Sequence, residues 1–370
     1  MSKIIELDKL GQSIWYDYIQ RSLLTSGEFE RLMEKGVSGI TSNPAIFEKA
    51  IAGSNDYDND LKRLAEEGKS VEEIYEILAI GDIFSATDLL KPVYDRTNKR
   101  DGYVSLEVSP NLAYDTEETV AEARRLFEMV NRQNLLIKVP ATPEGIPAVA
   151  ELIGAGVNVN ITLIFGLDNY RHVAEAYLEG LKTLAANGPR VTGGHGIDSI
   201  CSVASFFISR IDTVVDQELE KKGNTALQGK IAIASAKMAR VAYDSIFDSG
   251  QWNSLAEKGA RVQRLLWGST GTKNPRYPDT LYVDQLIGPD TINTVPPATL
   301  DNFLDHGTVD ETLSKGMVEA RIQLDELNSL GINLAVLTQK LQEDGVEAFR
   351  KPFAALMDSI AEKCSVLLAG

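Results

Sequence analysis

Short apolar segments alternate with amphipathic segments along most of the chain, and this alternation predicts strands separated by helices. The apolar segments with the length of buried strands are Ser13–Tyr18, Gly39–Ser42, Tyr103–Val108, Leu135–Val139, Val157–Leu163, Ile200–Ala204, Gln263–Trp267 and Thr291–Val295. The clearest helical patterns are Thr116–Asn131, Asp168–Ala186, Ser205–Lys222 and Gln228–Asp248. Eight strands with intervening helices predict an α/β fold of the (β/α)8 type, a TIM barrel.

A doubly wound open sheet is the structural alternative for the same alternation. No Gly-x-Gly-x-x-Gly motif follows a predicted strand, which disfavours the dinucleotide-binding form of that alternative. The residues that a barrel does not need are predicted to form extra helices, at about 45–100 after the second strand and at about 310–370 at the C-terminus. Because no linker or internal repeat interrupts the chain, we predict one domain over residues 1–370.

Polar residues occupy alternate positions in strands that should be apolar throughout. In the fifth strand Asn160 and Thr162 share one face, opposite the apolar residues. Asp17, Glu107 and Lys138 are single ionisable residues near the carboxyl ends of three other strands. Strands covered by helices are normally continuous apolar runs, and the carboxyl end of a barrel is where active sites lie. We therefore predict an active site at that end.

Composition and charge narrow the choice of partners. The chain has 37 basic and 53 acidic residues, a net charge of −16, which disfavours nucleic acids and anionic membrane surfaces. Neither a secretory signal nor an apolar stretch of membrane-span length is visible. Two cysteines without a CxxC motif and three scattered histidines disfavour a disulfide framework and a metal site. We expect a cytoplasmic protein, either a monomer or a homodimer.

An isolated lysine with two carboxylates suggests a specific chemistry. Burial in an apolar strand disfavours the charged form of Lys138, and a neutral amine can attack a ketone to form a Schiff base. Breaking the neighbouring carbon–carbon bond then needs a base and a held water, for which Asp17 and Glu107 are candidates. Two structural alternatives remain: Glu107 pairs with Lys138 only as part of the core, and Asp17 caps the following helix.

A phosphate site is predicted beside these residues. Ser205 and Arg210 lie five positions apart where the sixth strand meets its helix, and helix N–H groups favour an anion. The seventh strand is followed by the Gly/Ser/Thr loop Gly268–Asn274, which contains Lys273. Loops at this place in barrels commonly bind phosphate.

Several segments have distinctive sequences and occur in a distinctive order along the chain: Trp15–Tyr18, Gly39–Pro44, Ser105–Val108, Leu136–Pro140, Val157–Leu163, Ser202–Arg210 and Trp267–Pro275. In these segments, and over nearly its whole length, the chain resembles the transaldolases of the longer bacterial and plant type. The resemblance implies a Schiff-base (β/α)8 barrel that needs no metal or organic cofactor. It also implies transfer of a dihydroxyacetone unit between sugar phosphates. The donors would be sedoheptulose 7-phosphate and fructose 6-phosphate, and the acceptors glyceraldehyde 3-phosphate and erythrose 4-phosphate, in the non-oxidative pentose phosphate pathway.

The resemblance also implies a role for each matching residue. Lys138 matches the Schiff-base lysine, and Asp17 matches the carboxylate that takes the C4 hydroxyl proton. Glu107 and Thr162 match the pair that holds the catalytic water. The implied substrate-binding residues are Asn43, Asn160 and Ser205 for hydroxyls, and Arg210 and Ser269 for phosphate.

One departure concerns the second cation of the phosphate site. Shorter transaldolases have Ser-x-Arg in this loop, whereas here Ser269 is followed by Thr270 and Gly271. We predict that Lys273 substitutes, with Arg276 as the alternative.

Three other functions are weighed against this one. Fructose 6-phosphate aldolase, which releases free dihydroxyacetone, has Gln and Tyr where this chain has Glu107 and Phe207. A non-catalytic sugar-phosphate-binding protein would keep Lys138 as an ion-pair partner only. A metal-dependent aldolase would need clustered metal ligands, which the three scattered histidines do not supply. His195 lies in a Gly-rich loop and is interpreted as a loop residue without a catalytic role.

Overall fold

A computed structural model describes residues 2–369, and its strands form one closed parallel barrel in the order β1 to β8. The strands are β1 (Gln12–Tyr16), β2 (Val37–Thr41), β3 (Tyr103–Glu107), β4 (Leu135–Pro140), β5 (Val159–Ile164), β6 (Ser202–Phe207), β7 (Arg264–Gly268) and β8 (Thr291–Val295). Each strand pairs with the next along the chain, and β8 pairs with β1. The (β/α)8 prediction is therefore confirmed.

Helices cover the outside of the barrel. In chain order they are α1 (Lys3–Lys9), α2 (Arg21–Thr25), α3 (Glu28–Glu34), α4 (Pro44–Ala52), α5 (Asp58–Glu66), α6 (Val71–Arg96), α7 (Thr116–Val130), α8 (Gly145–Ala155), α9 (Leu167–Asn187), α10 (Ser209–Lys221), α11 (Ile231–Ile246), α12 (Gly250–Ala256), α13 (Leu281–Asp284), α14 (Pro297–His306), α15 (Met317–Ser329) and α16 (Leu334–Ala369). Helices α4–α6 lie in the sequence between β2 and β3, and α15 and α16 lie within 310–370, the two places where extra helices were predicted; α14 precedes the second of these. The division into one domain stays a prediction.

Period-two alternation separates two layers of core. In β4, Leu136 belongs to a cluster inside the barrel, whereas Ile137 and Val139 belong to the larger cluster between strands and helices. Since successive strand residues point to opposite faces, Lys138 points inward like Leu136. The pattern that places apolar residues under the helices thus also places a lysine inside the barrel.

The sixth strand is longer than predicted. It runs to Phe207, and its helix begins at Ser209 rather than at Ser205. Its ladder with β7 continues through Phe207 and Gly268, so the alternation of inward and outward side chains continues past Ser205. Ser205, predicted as the start of the helix, is instead a polar strand residue that points inward.

A buried ionic network fills the amino-terminal end of the barrel. The Asp101 carboxylate accepts hydrogen bonds from Ser13 Oγ at 2.6 Å and Trp15 Nε1 at 2.9 Å. It also lies 3.3 Å from Arg264 Nη1, and the two side chains are only 2% and 8% exposed. Arg264 donates in addition to the carbonyl oxygen of Thr291 at 2.7 Å. This network ties β1, β7 and β8 to the segment that leads into β3.

Removing Asp101 should destabilise the fold strongly. In Asp101→Ala the Arg264 guanidinium loses its buried counter-charge, and we expect the free energy of unfolding to fall by about 3–5 kcal/mol. Asp95→Ala, which removes an exposed partner of Lys91, should cost about 0–1 kcal/mol. Urea denaturation of the two variants measures both changes. Equal losses in the two variants would contradict a stabilising role for the buried pair.

Candidate active site

The carboxyl-terminal end of the barrel encloses a cavity of about 460 Å³. All of the predicted site residues except Glu107 line it, together with side chains from α4 and α16. A larger cleft of about 570 Å³ lies between the segments that follow β4 and β5 and helix α16, and none of the predicted site residues line it. The predicted chemistry therefore belongs to the smaller cavity.

Lys138 lies near the carboxyl end of β4 and is 5% exposed. Its Nζ donates to the carbonyl oxygen of Ser42 at 3.0 Å and lies 3.3 Å from Glu107 Oε2. Glu107 and Asn160 are its register partners on β3 and β5, so the three side chains lie side by side. The amine is thus held in one position with its end at the cavity.

Glu107 occupies a second, smaller space. Its side chain, 6% exposed, lines a separate cavity of about 170 Å³ on the α6 side of β3 and contacts Lys138, which lines the main cavity. Its Oε2 makes an ion-pair contact with Lys138 but no hydrogen bond of good geometry within residues 2–369. Burial raises the pKa of the Glu107 carboxyl above its ordinary value of 4.5, and the charge of Lys138 opposes that rise.

Thr162 places an unused hydroxyl in the main cavity. The residue is fully buried on β5, and within residues 2–369 its Oγ1 has no hydrogen-bond partner. Buried polar atoms are nearly always hydrogen-bonded in folded proteins. A buried hydroxyl that the protein leaves unpaired beside a lysine is therefore available to a bound molecule or to water.

Asp17 follows directly after β1 and faces the same cavity. Its Oδ1 accepts a hydrogen bond from Thr41 Oγ1 at 2.7 Å. Burial raises the pKa of Asp17 above its ordinary value of 3.8, against the Thr41 hydrogen bond and the charges of Lys138 and Lys273, which lower it. Asp17 is not a helix cap, because α2 begins at Arg21 with Gln20 in the capping position. That structural alternative is wrong.

Amides and hydroxyls form the wall around the lysine. Asn160 donates through Nδ2 to Ser105 Oγ at 3.0 Å and accepts from Ser205 Oγ at 2.6 Å. Asn43 is the N-cap residue of α4, where its Oδ1 accepts from the N–H of Ile46 at 3.0 Å. These bonds fix the orientation of both amides, so each presents a defined group to the cavity.

Cations gather at the far side of the cavity. Arg210 lies in the first turn of α10, Ser269 directly follows β7, and Lys273 comes four residues later; all three line the cavity. Desolvation and the charge of Arg210 lower the pKa of Lys273. Within the described range 2–369, neither Arg210 nor Lys273 forms an ion pair with a carboxylate. Two cations without counter-charges make this end suitable for an anion.

Arg276, the alternative to Lys273, lies elsewhere. It is outside the cavity lining, its side chain is 66% exposed, and its Nη2 lies 3.7 Å from Glu220 Oε1. Of the two candidates for the second cation, only Lys273 reaches the cavity.

Comparison with known proteins identifies the family of the chain. The family model described as transaldolase/fructose-6-phosphate aldolase matches residues 14–360. Proteins named transaldolase from Trichodesmium erythraeum and Thermobifida fusca are each 46% identical, over 98% of this chain and 98% of their own. One from Thiobacillus denitrificans is 47% identical, over 96% and 98%. The chain belongs to the transaldolase/fructose-6-phosphate aldolase family.

Most of the residues that carried the family resemblance thus meet at one end of the barrel. Two tryptophans of the same segments do not line its cavity. Trp15 and Trp267 are fully buried and donate to Asp101 and to the carbonyl oxygen of Leu286, so neither forms a wall of the cavity. His195 is buried and contacts Asn158 Nδ2 at 3.0 Å. It fills a structural position, and burial lowers its pKa to about 4.

Three further residues line the same cavity and were not predicted from the sequence. Lys49 on α4 lines the cavity near Lys273 and, within residues 2–369, forms no ion pair. Thr294 on β8 contacts Thr41 Oγ1 at 2.6 Å and so supports the bond to Asp17. Phe349 on α16 faces Lys138. Only for Thr294 was there a signal, since it is a polar residue inside a predicted strand.

The described part of the chain lacks two kinds of feature, a membrane-spanning helix and a cluster of metal ligands. No helix of residues 2–369 has the length and apolar character needed to span a membrane. The same residues contain no group of three His, Cys, Asp or Glu side chains placed to hold a metal ion.

The choice between Lys273 and Arg276 can be tested with inorganic phosphate. Charge-assisted hydrogen bonds contribute about 1.5–3 kcal/mol, so Lys273→Ala and Arg210→Ala should each weaken phosphate binding roughly tenfold or more. Arg276→Ala, which removes an exposed arginine of the same loop, is the matched control and should change the Kd less than twofold. Calorimetric titration measures all three. A loss in Arg276→Ala as large as that in Lys273→Ala would contradict the assignment.

Proposed function

We propose that this protein is a transaldolase that transfers a dihydroxyacetone unit between sugar phosphates through a Schiff base on Lys138. The observation that carries the proposal is the position of that amine. It is 5% exposed, held by Ser42 and Glu107, and ends in a cavity with cations at its far side. A ketose phosphate fits this arrangement, because its phosphate can bind the cations while its carbonyl meets the amine.

Schiff-base formation uses the groups on the β3 and β5 sides of Lys138. Nζ attacks the ketone carbon and the amine proton passes to the former carbonyl oxygen; a second proton, from an acid, then lets that oxygen leave as water, and a protonated imine remains. Glu107, with its pKa raised by burial, can carry this proton in both directions. The free hydroxyl of Thr162 can orient the water that leaves and later returns.

Carbon–carbon cleavage uses the group on the β1 side. Asp17 takes the proton of the C4 hydroxyl, the C3–C4 bond breaks, and its electrons flow into the protonated imine to form an enamine. The aldose phosphate leaves, and an acceptor aldose phosphate then takes the enamine carbon by the reverse steps. Asn43 and the Asn160–Ser205 pair, with fixed orientations, suit the hydroxyls of the retained three-carbon unit.

Transfer is favoured over simple cleavage by two residues. Glu107 and Phe207 stand where fructose 6-phosphate aldolase has Gln and Tyr, and Phe207, 9% exposed, lines the cavity as an apolar ring. A non-catalytic binding protein is the second candidate, since the contact between Lys138 and Glu107 is also what a structural ion pair would show. We further propose that the protein acts in the cytosol, where its two free cysteines remain reduced.

A trapping experiment decides between catalysis and binding. Fructose 6-phosphate followed by borohydride should add a dihydroxyacetone-sized mass to Lys138, and erythrose 4-phosphate added before reduction should remove it. Lys138→Met should form no adduct while remaining folded. Lys237 is an internal control, because it is also buried but its Nζ donates to the carbonyl oxygen of Lys315, away from the cavity.

Intact mass and peptide mapping give the answer. An adduct that persists in Lys138→Met, or one found equally on Lys237, would contradict Lys138 as the nucleophile. A folded wild-type protein that forms no adduct would leave the binding protein as the better interpretation.

The rate of cleavage should depend on the protonation of Asp17. The pKa of this carboxyl is raised by burial, and only its charged form accepts a proton, so cleavage should fall as the pH drops through that raised pKa. Thr41→Val removes a hydrogen bond that stabilises the charged form, so the pKa should rise further. We expect the acid limb to move to higher pH by roughly half a unit to one unit.

Single-turnover cleavage of fructose 6-phosphate across pH measures the shift. Thr41→Ser keeps the hydroxyl and should leave the acid limb near its wild-type position. An unmoved acid limb in Thr41→Val would show that another group controls the profile.

A further inference from the structure

Helix α16 crosses the open end of the barrel. Its 36 residues correspond to about 54 Å at 1.5 Å per residue. On one side Gln342 Nε2 donates to the carbonyl oxygen of Ala141 at 2.7 Å and to that of Leu163 at 3.2 Å, at the ends of β4 and β5. On the other side Lys363 Nζ lies 3.1 Å from Asp58 Oδ1 on α5. The helix is therefore anchored at two places, at the ends of β4 and β5 and on α5.

The middle of the helix approaches the barrel closely. At Gly345 a Cβ atom would lie 2.9 Å from the Leu163 side chain, so a larger residue there would require that side chain or the helix to shift. One turn further on, Arg350 Nε donates to the carbonyl oxygen of Pro110 at 3.2 Å, after β3. These contacts bring the intervening turn of the helix over the end of β4.

Phe349 lies in that turn. Its ring centroid is 5.7 Å from Lys138 Nζ, and the side chain is 6% exposed and lines the main cavity. Phe207 and Leu266 are apolar residues of the same lining. Phe349 is set apart from them because a helix that follows the whole barrel supplies it.

The chemistry at Lys138 makes this position important. After the aldose leaves, the enamine has two fates. It can attack an acceptor aldehyde, which is transfer. Alternatively, its carbon takes a proton, and water then adds to the resulting imine, which releases dihydroxyacetone and the free amine. The second route consumes one water, and the proton that the carbon takes up is returned when the imine is hydrolysed. It therefore depends on the access of a proton donor to the atoms around Nζ.

We propose that Phe349 excludes bulk solvent, and with it proton donors, from the enamine carbon beside Nζ, and so directs the enamine to transfer rather than to release of dihydroxyacetone. This role rests on the proposed function, because it presupposes the enamine on Lys138. It makes Phe349 a specificity-determining residue of the reaction, supplied by the C-terminal helix.

The test compares release with transfer in one set of variants. Release is the rate of dihydroxyacetone formation from fructose 6-phosphate alone, and transfer is the rate with glyceraldehyde 3-phosphate present. We expect Phe349→Ala to raise the ratio of release to transfer about tenfold or more. Phe349→Leu keeps an apolar cover and should stay within about threefold of the wild type. Phe349→Gln keeps most of the volume but brings a polar group, and should raise the ratio as Phe349→Ala does.

Phe353→Ala is the matched control. Phe353 lies one turn further along α16, and its ring packs edge-on against Tyr75 at 5.5 Å rather than over Lys138. A general loosening of the helix would raise the ratio in this variant as well, and that result would overturn the proposal. In deuterated water, dihydroxyacetone released through enamine protonation should carry one deuterium on carbon.

The outcomes separate the two proposals. A ratio that is unchanged in both Phe349→Ala and Phe349→Gln, with the borohydride-trapped adduct on Lys138 intact, would overturn the role of Phe349 alone. Absence of the adduct in the wild-type protein would overturn the proposed function and this inference with it. If Phe349→Ala does not fold, Phe349→Gln against Phe349→Leu decides the question.

Discussion

The contact between Lys138 and Glu107 is the constraint around which the open end of the barrel is organised. Both side chains are 6% exposed, with Nζ and Oε2 3.3 Å apart. Removing two charges from water costs free energy that their attraction repays only when the geometry is good and further bonds are made. Here Ser42 supplies one such bond to the amine, while Glu107 Oε2 stays without a good one. An incompletely satisfied pair is a poor stabilising device, but it leaves a lysine and a carboxyl able to exchange protons with a substrate.

The opposite end of the barrel shows what a structural pair looks like in the same molecule. Asp101 and Arg264 are as deeply buried, yet the carboxylate also accepts bonds from Ser13 and Trp15, and the guanidinium reaches the Thr291 carbonyl oxygen. That pair keeps several further hydrogen bonds, although Arg264 Nε has no partner within residues 2–369, whereas Lys138 ends at a cavity. The two ends of one barrel thus separate stability from chemistry, as barrel enzymes generally do.

The alternation of apolar and polar residues along the chain predicted the fold and most of the candidate site, because strand periodicity decides which residues point inward. Lys138 and Asn160 were predicted to point inward because polar residues occupy alternate positions of their strands. The register of the paired strands then places Glu107 beside Lys138 and Lys138 beside Asn160. The same rule failed at Ser205, where a polar inward residue was taken for a helix start although the strand continues to Phe207. Phe349 lies more than 200 positions from Lys138, so its place depends on how α16 packs across the barrel, which no local pattern contains. Lys273 and Arg276 are three residues apart in one loop, and only the path of that loop decides which faces the cavity.

The net charge of −16 and an anion site are compatible because electrostatic fields in salt solution are local. Charges on the outer surface are screened beyond a Debye length of about 8–10 Å. Lys49, Arg210 and Lys273 share one cavity and, among residues 2–369, pair with no carboxylate, so their field is not cancelled at close range. Low-dielectric walls concentrate such a field. The carboxylate of the cavity, Asp17, follows β1 and accepts a hydrogen bond from Thr41, and its charge also interacts with that of Lys273 without forming an ion pair. The acidic surface and the basic cavity therefore act on different parts of the same process: one keeps nonspecific polyanions away, and the other holds the small anion that enters.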